Sequence, residues 1–482
     1  MSQLAVIAAV EVAVLIAVVI LREPKLLILC VVLGLPFEYA GEKLLPSLGS
    51  SGFSGAVRAL LNPGKAAMLA TICVGVVQFR HEPRRLIPNS RTVVPVFAFL
   101  CLALLGVAWS DSLKPNNTEL IMPMYVAFAF VAPNYIKDRR DVEWLIGAFL
   151  VTTIALSCIA IAQRWGHVFN WRTILIDSDG YTYRSNATFS DPNIMARYFA
   201  MSMSLAGALI LATGPRRTTL YLAVPTLALG SIAILATGSR SGWATLLLCS
   251  AIVLWTTPIP RETKVKLSVV AIGSTILLIA LVLLQGGPNA ERIKSLTNPI
   301  SALGQRDFLI KAGWHMFTDN PLLGVGSGNY QHSLLLGYRS DIPSWAEVTL
   351  SHTSFITLLA ELGIVGFGFF LFVCFRVAGA VVRAYRATPL AFNRLVIGWL
   401  GASMIGIIFS SQSEGRLLDE PYLYLVLAMF IALETGAGFA AKAVPEVAEP
   451  EPVMPTPAAA QRATTPPRRT PELAPTPITT AD

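Results

Sequence analysis

Charged side chains are scarce in this sequence. Asp, Glu, Lys and Arg together make up 14% of the 482 residues, whereas a soluble domain carries about 25%. Hydrophobic residues reach 54%, and they are gathered into runs separated by short basic or Gly/Pro connectors. This composition excludes an ordinary soluble domain and predicts a polytopic helical membrane protein.

A cysteine framework is also lacking. All six cysteines lie inside apolar runs, without metal-ligand spacing and without pairs across a polar loop. We interpret them as small buried hydrophobic residues rather than as disulfide or metal-binding residues. They are Cys30, Cys73, Cys101, Cys158, Cys249 and Cys374.

The apolar runs predict an all-α membrane bundle with about 12 transmembrane helices, although several runs are shorter than the roughly 20 residues of a straight span. The first run has no cleavage-site pattern before Arg22, which favours an anchor over a signal peptide. The predicted spans are Leu4–Leu21, Leu26–Tyr39, Lys65–Phe79, Val93–Trp109, Thr118–Val131, Val142–Gln163, Ile194–Thr213, Thr218–Ala236, Gly242–Trp255, Val265–Gln285, Thr353–Cys374, Arg394–Phe409 and Tyr422–Ala432.

Basic residues orient these spans. Lys and Arg cluster in alternating connectors, for example at Arg84, Arg140 and Arg217. Under the positive-inside rule these connectors are cytoplasmic, which also accounts for the net charge of +8 without a nucleic-acid partner. The remaining connectors are then outside, and they include one large loop at about 286–351.

The C-terminal residues 441–482 form a separate segment, after a membrane domain at 1–440. Pro recurs throughout this segment, with Ala, Thr and Glu between the prolines. Such a composition buries too little apolar surface to fold. We therefore expect a disordered cytoplasmic tail.

Arg240 lies in a tight outer turn, Thr237–Gly242, between two predicted spans. No Asp or Glu occurs between Pro192 and Pro260, so Arg240 has no carboxylate close to it in the sequence. A guanidinium group can bind two phosphate oxygens at once, and the small neighbouring residues would let a ligand approach. The alternative is an arginine that extends to the membrane interface without a ligand.

In the large outer loop, apolar residues recur near helical spacing at Phe308, Leu309, Ala312 and Met316, which predicts a helix with Arg306 in its first turn. Arg306 is interpreted either as a phosphate ligand or as a solvated charge paired with Asp307 or Glu291. The glycine-rich turn at 320–330 follows this helix. It lacks the GK[ST] ending and the preceding strand of a phosphate loop, so we reject a nucleotide site there.

His352 stands where the outer loop enters the next predicted span, with Ser351 or Thr353 as a candidate helix cap. An imidazole there could accept a proton from a hydroxyl nucleophile, or be a structural histidine. Glu361 lies deeper in the same apolar run, where an acid is either functional or braces the bundle. Lys311, His315 and His332 of the outer loop could share a catalytic role.

The segment 184–193 precedes another span and ends in Asp191-Pro192-Asn193, a combination that suits a helix start. Arg184 and Asn193 are candidates for a supporting role. The same connector contains Asp177 and Asp179, a spacing that can hold a divalent metal. The match is too short to favour a metal.

The order of these motifs resembles the O-antigen ligase and polymerase superfamily of bacterial membrane proteins. The resemblance covers roughly residues 183–432. It rests on Asp191-Pro192-Asn193, Ser239-Arg240, Gly304-Gln305-Arg306, the turn 320–326, and His352 followed by the segment 361–366.

The resemblance implies an integral-membrane glycosyltransferase fold in the bacterial inner membrane, with the site facing the periplasm and no metal or other cofactor. Its donor would be a glycan on undecaprenyl diphosphate, and its acceptor a hydroxyl of lipid A–core or of a second lipid-linked glycan. Arg240 and Arg306 would bind the diphosphate. His352 would position or deprotonate the attacking hydroxyl, and transfer would invert the anomeric centre.

The sequence leaves ligase and polymerase open, and we favour the ligase. A flippase or transporter is the alternative of another class, with Arg240 and Glu361 lining a path. Transporters often contain two related halves, and we find no such internal symmetry. A membrane scaffold is the third class.

Overall fold

The computed structural model describes residues 24–38, 60, 62–110, 117–169, 184–213, 217–286, 305–345 and 348–436. Every regular element within these ranges is helical, with short 3-10 helices at Pro83–Leu86, Gly106–Trp109, Ala132–Tyr135 and Arg339–Asp341. The α-helices are α1 (Pro24–Gly34), α2 (Pro63–Gln78), α3 (Val93–Leu105), α4 (Asn117–Val131), α5 (Arg139–Gly166), α6 (Pro192–Thr213), α7 (Arg217–Thr237), α8 (Arg240–Thr256), α9 (Arg261–Gln285), α10 (Gln305–Asp319), α11 (Tyr330–Leu336), α12 (Ser354–Ala387), α13 (Ala391–Ser410) and α14 (Pro421–Glu434).

Helices occupy the predicted spans wherever the structure describes them, so the all-helical class is confirmed. Five helices are long and apolar enough to cross a membrane, namely α5, α6, α7, α12 and α13, and α1 to α4 and α14 are shorter apolar helices. The count of about 12 spans and the periplasmic location of the loop remain predictions. Leu4–Leu21 and the tail 441–482 lie outside the described residues.

Helix α6 is the centre of the bundle and packs against α7, α8 and α13. Trp399 of α13 is fully buried, and its indole Nε1 donates to the carbonyl of Met201 at 3.0 Å. Phe149 of α5 meets the Trp399 ring edge-on at 5.7 Å between centroids. These contacts fix α6, whose first turn carries the Asp191-Pro192-Asn193 motif.

The prediction that all six cysteines are buried was wrong. Cys249 is buried between α8 and α13, but Cys73 and Cys158 are exposed. The reason is that an apolar run is not the same as a buried helix. A helix at the periphery of a membrane bundle turns one side away from its neighbours, and apolar residues occupy that side too.

Residues 305–345, which we call the outer segment, are attached to α12 by main-chain hydrogen bonds. The bonds join one non-helical stretch of the outer segment to an interruption in α12. Helix α12 is interrupted at Gly363, where φ is 61° and ψ is −167°. The interruption frees main-chain groups of 360–365 to pair with those of 321–326, and we call this pairing the clasp. Its bonds are Val325 N to Ala360 O (2.9 Å), Gly326 N to Glu361 O (3.0 Å), Ile364 N to Pro321 O (2.8 Å) and Val365 N to Leu322 O (3.3 Å).

Candidate active site

Arg240 and Arg306 come together at the end of the bundle that carries connectors 184–191, 237–240 and 410–421, here called the site end. Ser239 caps α8 by accepting a hydrogen bond from Gly242 N at 3.0 Å, so Arg240 opens that helix. Burial lowers the pKa of Arg306 and the charge of Arg240 lowers it further, while Asp191 and Glu414 raise it. Two neighbouring guanidinium groups favour a ligand with several anionic oxygens.

A glycine brings the start of α8 against α6. A Cβ added at Gly242 would lie 2.3 Å from the Cβ of Ala196, so only glycine permits this helix approach. The approach places Arg240 at the level of the first turn of α6, where Asp191 accepts a hydrogen bond from Asn193 N at 2.6 Å. The Thr237–Gly242 turn and the Asp191-Pro192-Asn193 motif are therefore parts of one structure.

Arg184 holds these two parts together. Its Nε donates to the carbonyl of Thr237 at 2.5 Å, and its Nη2 donates to Oδ1 of Asn193 at 2.8 Å. The bond to Thr237 reaches the turn that precedes Arg240. Arg184 and Asn193 thus tie the start of α6 to the turn that precedes Arg240, and their supporting role remains a prediction.

His352 has a left-handed backbone, with φ at 57°. Its Nε2 lies 3.4 Å from Oγ1 of Thr349. The Cα of His352 lies against Gly415, where an added Cβ would be 3.2 Å away. The backbone of His352 therefore lies at the site end, packed against the connector between α13 and α14.

The residues after His352 are docked on that connector. Ser354 Oγ donates to the carbonyl of Ser411 at 3.1 Å, and Phe355 N donates to Oε1 of Gln412 at 3.2 Å. Thr353 is the N-cap of α12, but its side chain makes no capping bond and instead donates to the carbonyl of Gln412 at 3.3 Å. The candidate cap therefore acts as a tether to the connector.

Comparison with known proteins identifies the region that carries most of these residues. Residues 225–371 match the family described as O-antigen ligase. Over this region the chain is similar to the O-antigen ligase and polymerase superfamily. None of the curated proteins matches it. The matched region contains Arg240, Arg306, His352 and Glu361, whereas Arg184 and Asn193 precede it.

This match confirms the resemblance seen in the motifs. It supports a multi-pass membrane protein of the glycosyltransferase type that acts in polysaccharide biosynthesis. Among the described residues, no group of three or more His, Cys, Asp or Glu is placed to hold a metal ion. Asp177 and Asp179 fall outside those residues.

Glu361 braces the outer segment within the matched region. Its side chain is buried, and Oε1 accepts a hydrogen bond from Tyr330 N, the first residue of α11, at 3.1 Å. Its carbonyl accepts the Gly326 bond of the clasp. The position of Glu361 therefore agrees with the bracing alternative.

Two other candidates of the outer segment, Lys311 and His315, have partners within that segment. Lys311 is 61% exposed and pairs with Asp307 at 2.6 Å. Asp307, which the sequence suggested as a partner of Arg306, is therefore the partner of Lys311. His315 is 56% exposed and its Nδ1 lies 2.9 Å from Oδ2 of Asp341. Among the described contacts, none brings Lys311, His315 or His332 to Arg240. Glu291, the other carboxylate suggested for Arg306, lies outside the described residues.

Sequence reasoning missed a buried charge cluster at the site end. Arg197, in the second turn of α6, pairs with Glu420 and lies 3.1 Å from Oε2 of Glu414. Arg416 pairs with Glu38 at 3.4 Å. A signal was present in the sequence, because the short connector 410–421 holds three acids after an apolar span.

Glu414 is the member of this cluster whose charge acts on Arg306. Its side chain is 4% exposed. Burial raises its pKa to about 7; Arg197 opposes this shift, and Asp191 adds to it. Neither carboxylate oxygen accepts a hydrogen bond from a residue that the structure describes.

Proposed function

We propose that this protein transfers a glycan from undecaprenyl diphosphate to an acceptor hydroxyl at the periplasmic face of the bacterial inner membrane. The observation that carries the proposal is the juxtaposition of Arg240 and Arg306 at the bundle end where His352 is also held. A lipid diphosphate supplies the several anionic oxygens that two guanidinium groups can bind. Its stored bond energy also removes the need for ATP outside the cytoplasm.

In the reaction, the acceptor oxygen attacks the anomeric carbon as the bond from that carbon to the diphosphate oxygen breaks. The bonding electrons leave with the diphosphate, so negative charge grows between Arg240 and Arg306. Positioned cations in a site shielded from water stabilise such charge strongly. His352 positions the hydroxyl or takes its proton, and attack from the face opposite the diphosphate inverts the anomeric centre.

The acceptor that we favour is lipid A–core, which makes the protein an O-antigen ligase or a ligase of a related surface polysaccharide. Extension of a second lipid-linked glycan, the polymerase reaction, uses the same donor chemistry and differs only in the hydroxyl that attacks. The two are therefore separated by offering each acceptor alone.

The first experiment is a transfer assay in reconstituted vesicles with a purified undecaprenyl-diphosphate glycan. We expect product on lipid A–core from the wild type, without nucleotide and with EDTA present. His352→Asn is the matched variant, because Asn removes the imidazole but tolerates the left-handed backbone. We expect about a 10²-fold lower kcat for this variant and for Arg306→Gln.

Arg139→Lys is the control, since Arg139 forms an exposed pair with Glu143 at the start of α5. Lengthened donor chains without lipid A–core product would make the protein a polymerase. No product with either acceptor, together with donor retained in the cytoplasmic leaflet of cells lacking the protein, would replace the proposal with a flippase. The anomeric configuration of the product, read by NMR, tests inversion.

A further inference from the structure

The acids at the site end differ in whether their oxygens are already satisfied. Glu420 accepts Tyr422 N at 3.3 Å on Oε1 and pairs with Arg197 through Oε2. Asp191 caps α6 by accepting Asn193 N. Glu38 accepts Ser190 N at 2.8 Å. Each of these carboxylates thus has a structural bond that fixes it.

Glu414 is different. Its ion-pair contact with Arg197, 3.1 Å from Nη1 to Oε2, lacks the geometry of a hydrogen bond. Within the described part of the chain, no N–H or O–H donates to either oxygen. A buried acceptor without a donor costs free energy, and native structures rarely keep one without a reason.

The position of Glu414 gives such a reason. The next residue, Gly415, packs against the backbone of His352, and the charge of Glu414 acts on Arg306. Glu414 therefore belongs to the connector that packs against His352, and its charge reaches one of the two arginines. An attacking hydroxyl must reach the anomeric carbon beside the diphosphate, so it must come close to this same place.

We propose that Glu414 takes the proton of the attacking hydroxyl, while His352 positions that hydroxyl. The inference rests on the proposed function. The O–H bond breaks as the new bond from oxygen to the anomeric carbon forms, and the proton goes to a carboxylate oxygen of Glu414. The bonding electrons of the donor leave with the diphosphate, so the charges balance.

The charges around Glu414 support this role. Burial and Asp191 hold its pKa near 7, above the usual value for Glu, which makes it a better proton acceptor than an ordinary carboxylate. It must be ionised to accept a proton, so activity rises as pH increases through about 7. The charged groups that act on it or on its neighbours are Asp191 and Arg197 from α6, Arg306 from α10, and Arg416 and Glu420 from its own connector.

The test is the pH dependence of kcat in the vesicle assay for wild type, Glu414→Gln and His352→Asn. We expect Glu414→Gln to lose about 10²-fold in kcat and to lose the rise near pH 7. His352→Asn should keep that rise at a lower rate. Asp419→Asn is the control in the same connector. Asp419 is 34% exposed, and its ion pair with Arg416 is long, at 3.9 Å.

The possible failures are distinguishable. An inactive wild type would refute the proposed function itself. An active wild type with an unchanged pH profile in Glu414→Gln overturns only the role of Glu414. If Glu414→Gln does not fold, Glu414→Asp replaces it. Its altered contact with Arg197 must move the rise to a different pH, and a rise at the wild-type pH assigns the proton to another group.

Discussion

The clasp predicts that Gly363 cannot be replaced even by alanine. Its φ of 61° and ψ of −167° lie in a region that residues with a Cβ avoid. An added Cβ would also lie 2.3 Å from the carbonyl oxygen and 2.4 Å from the carbonyl carbon of Leu322. Both are main-chain atoms, so no side-chain rotation can relieve the overlap.

The expected loss follows from the backbone and the bonds it supports. Forcing a residue with a side chain into this conformation costs about 1–3 kcal/mol. Each clasp hydrogen bond contributes about 0.5–1.5 kcal/mol net. Losing two of the four bonds together with the strain gives about 2–6 kcal/mol, concentrated where the outer segment meets α12.

Gly368 provides a matched control on the same helix. It is helical, exposed, and has no atom within 4 Å of an added Cβ, so Gly368→Ala should be neutral or stabilise by about 0.5–1 kcal/mol. The assay is thermal unfolding in detergent combined with limited proteolysis between residues 305 and 345. Gly363→Ala should be cleaved there at lower temperature. Equal resistance of the two variants would refute the role of the clasp.

Three further predictions concern the buried charges. Arg197→Gln leaves Glu414 and Glu420 without their cation and should lower stability by about 3–5 kcal/mol in detergent unfolding; wild-type stability would show that the cluster is not structural. Glu361→Gln keeps an oxygen for Tyr330 N and should retain transfer activity, whereas Glu361→Leu should lose about 1–3 kcal/mol of stability; an inactive but folded Gln variant would place Glu361 in the chemistry. Arg184→Gln should raise the KM for donor about tenfold with unfolding unchanged, and an unchanged KM would count against its positioning role.

The helices could be predicted because local sequence decides them. Val142–Gln163 was predicted as a span and the helix is Arg139–Gly166, with Asp138 and Asp141 forming a capping box at its start. Hydropathy predicts where a helix must be, and caps predict where it begins. Neither depends on distant residues, so one sequence was enough.

The site was only partly predictable, because its geometry depends on long-range contacts. Arg240 and Arg306 were predicted from their residue types, but the structure is needed to show that they interact. The pair formed by Arg197 and Glu420 joins residues 223 positions apart, and no local pattern signals it. The break at Gly363 is hidden for the same reason, since the residues around it are apolar and read as continuous helix.

Because the clasp is built from main-chain atoms, it fastens the outer segment without regard to most of its side chains. Exposed residues of that segment, such as Leu335 and Trp345, can then be exchanged while Arg306, Arg240 and the connector to α14 keep their places. Substitutions at such exposed positions, with Arg306 retained, are therefore expected to leave the bundle intact, which makes this surface accessible to systematic mutation.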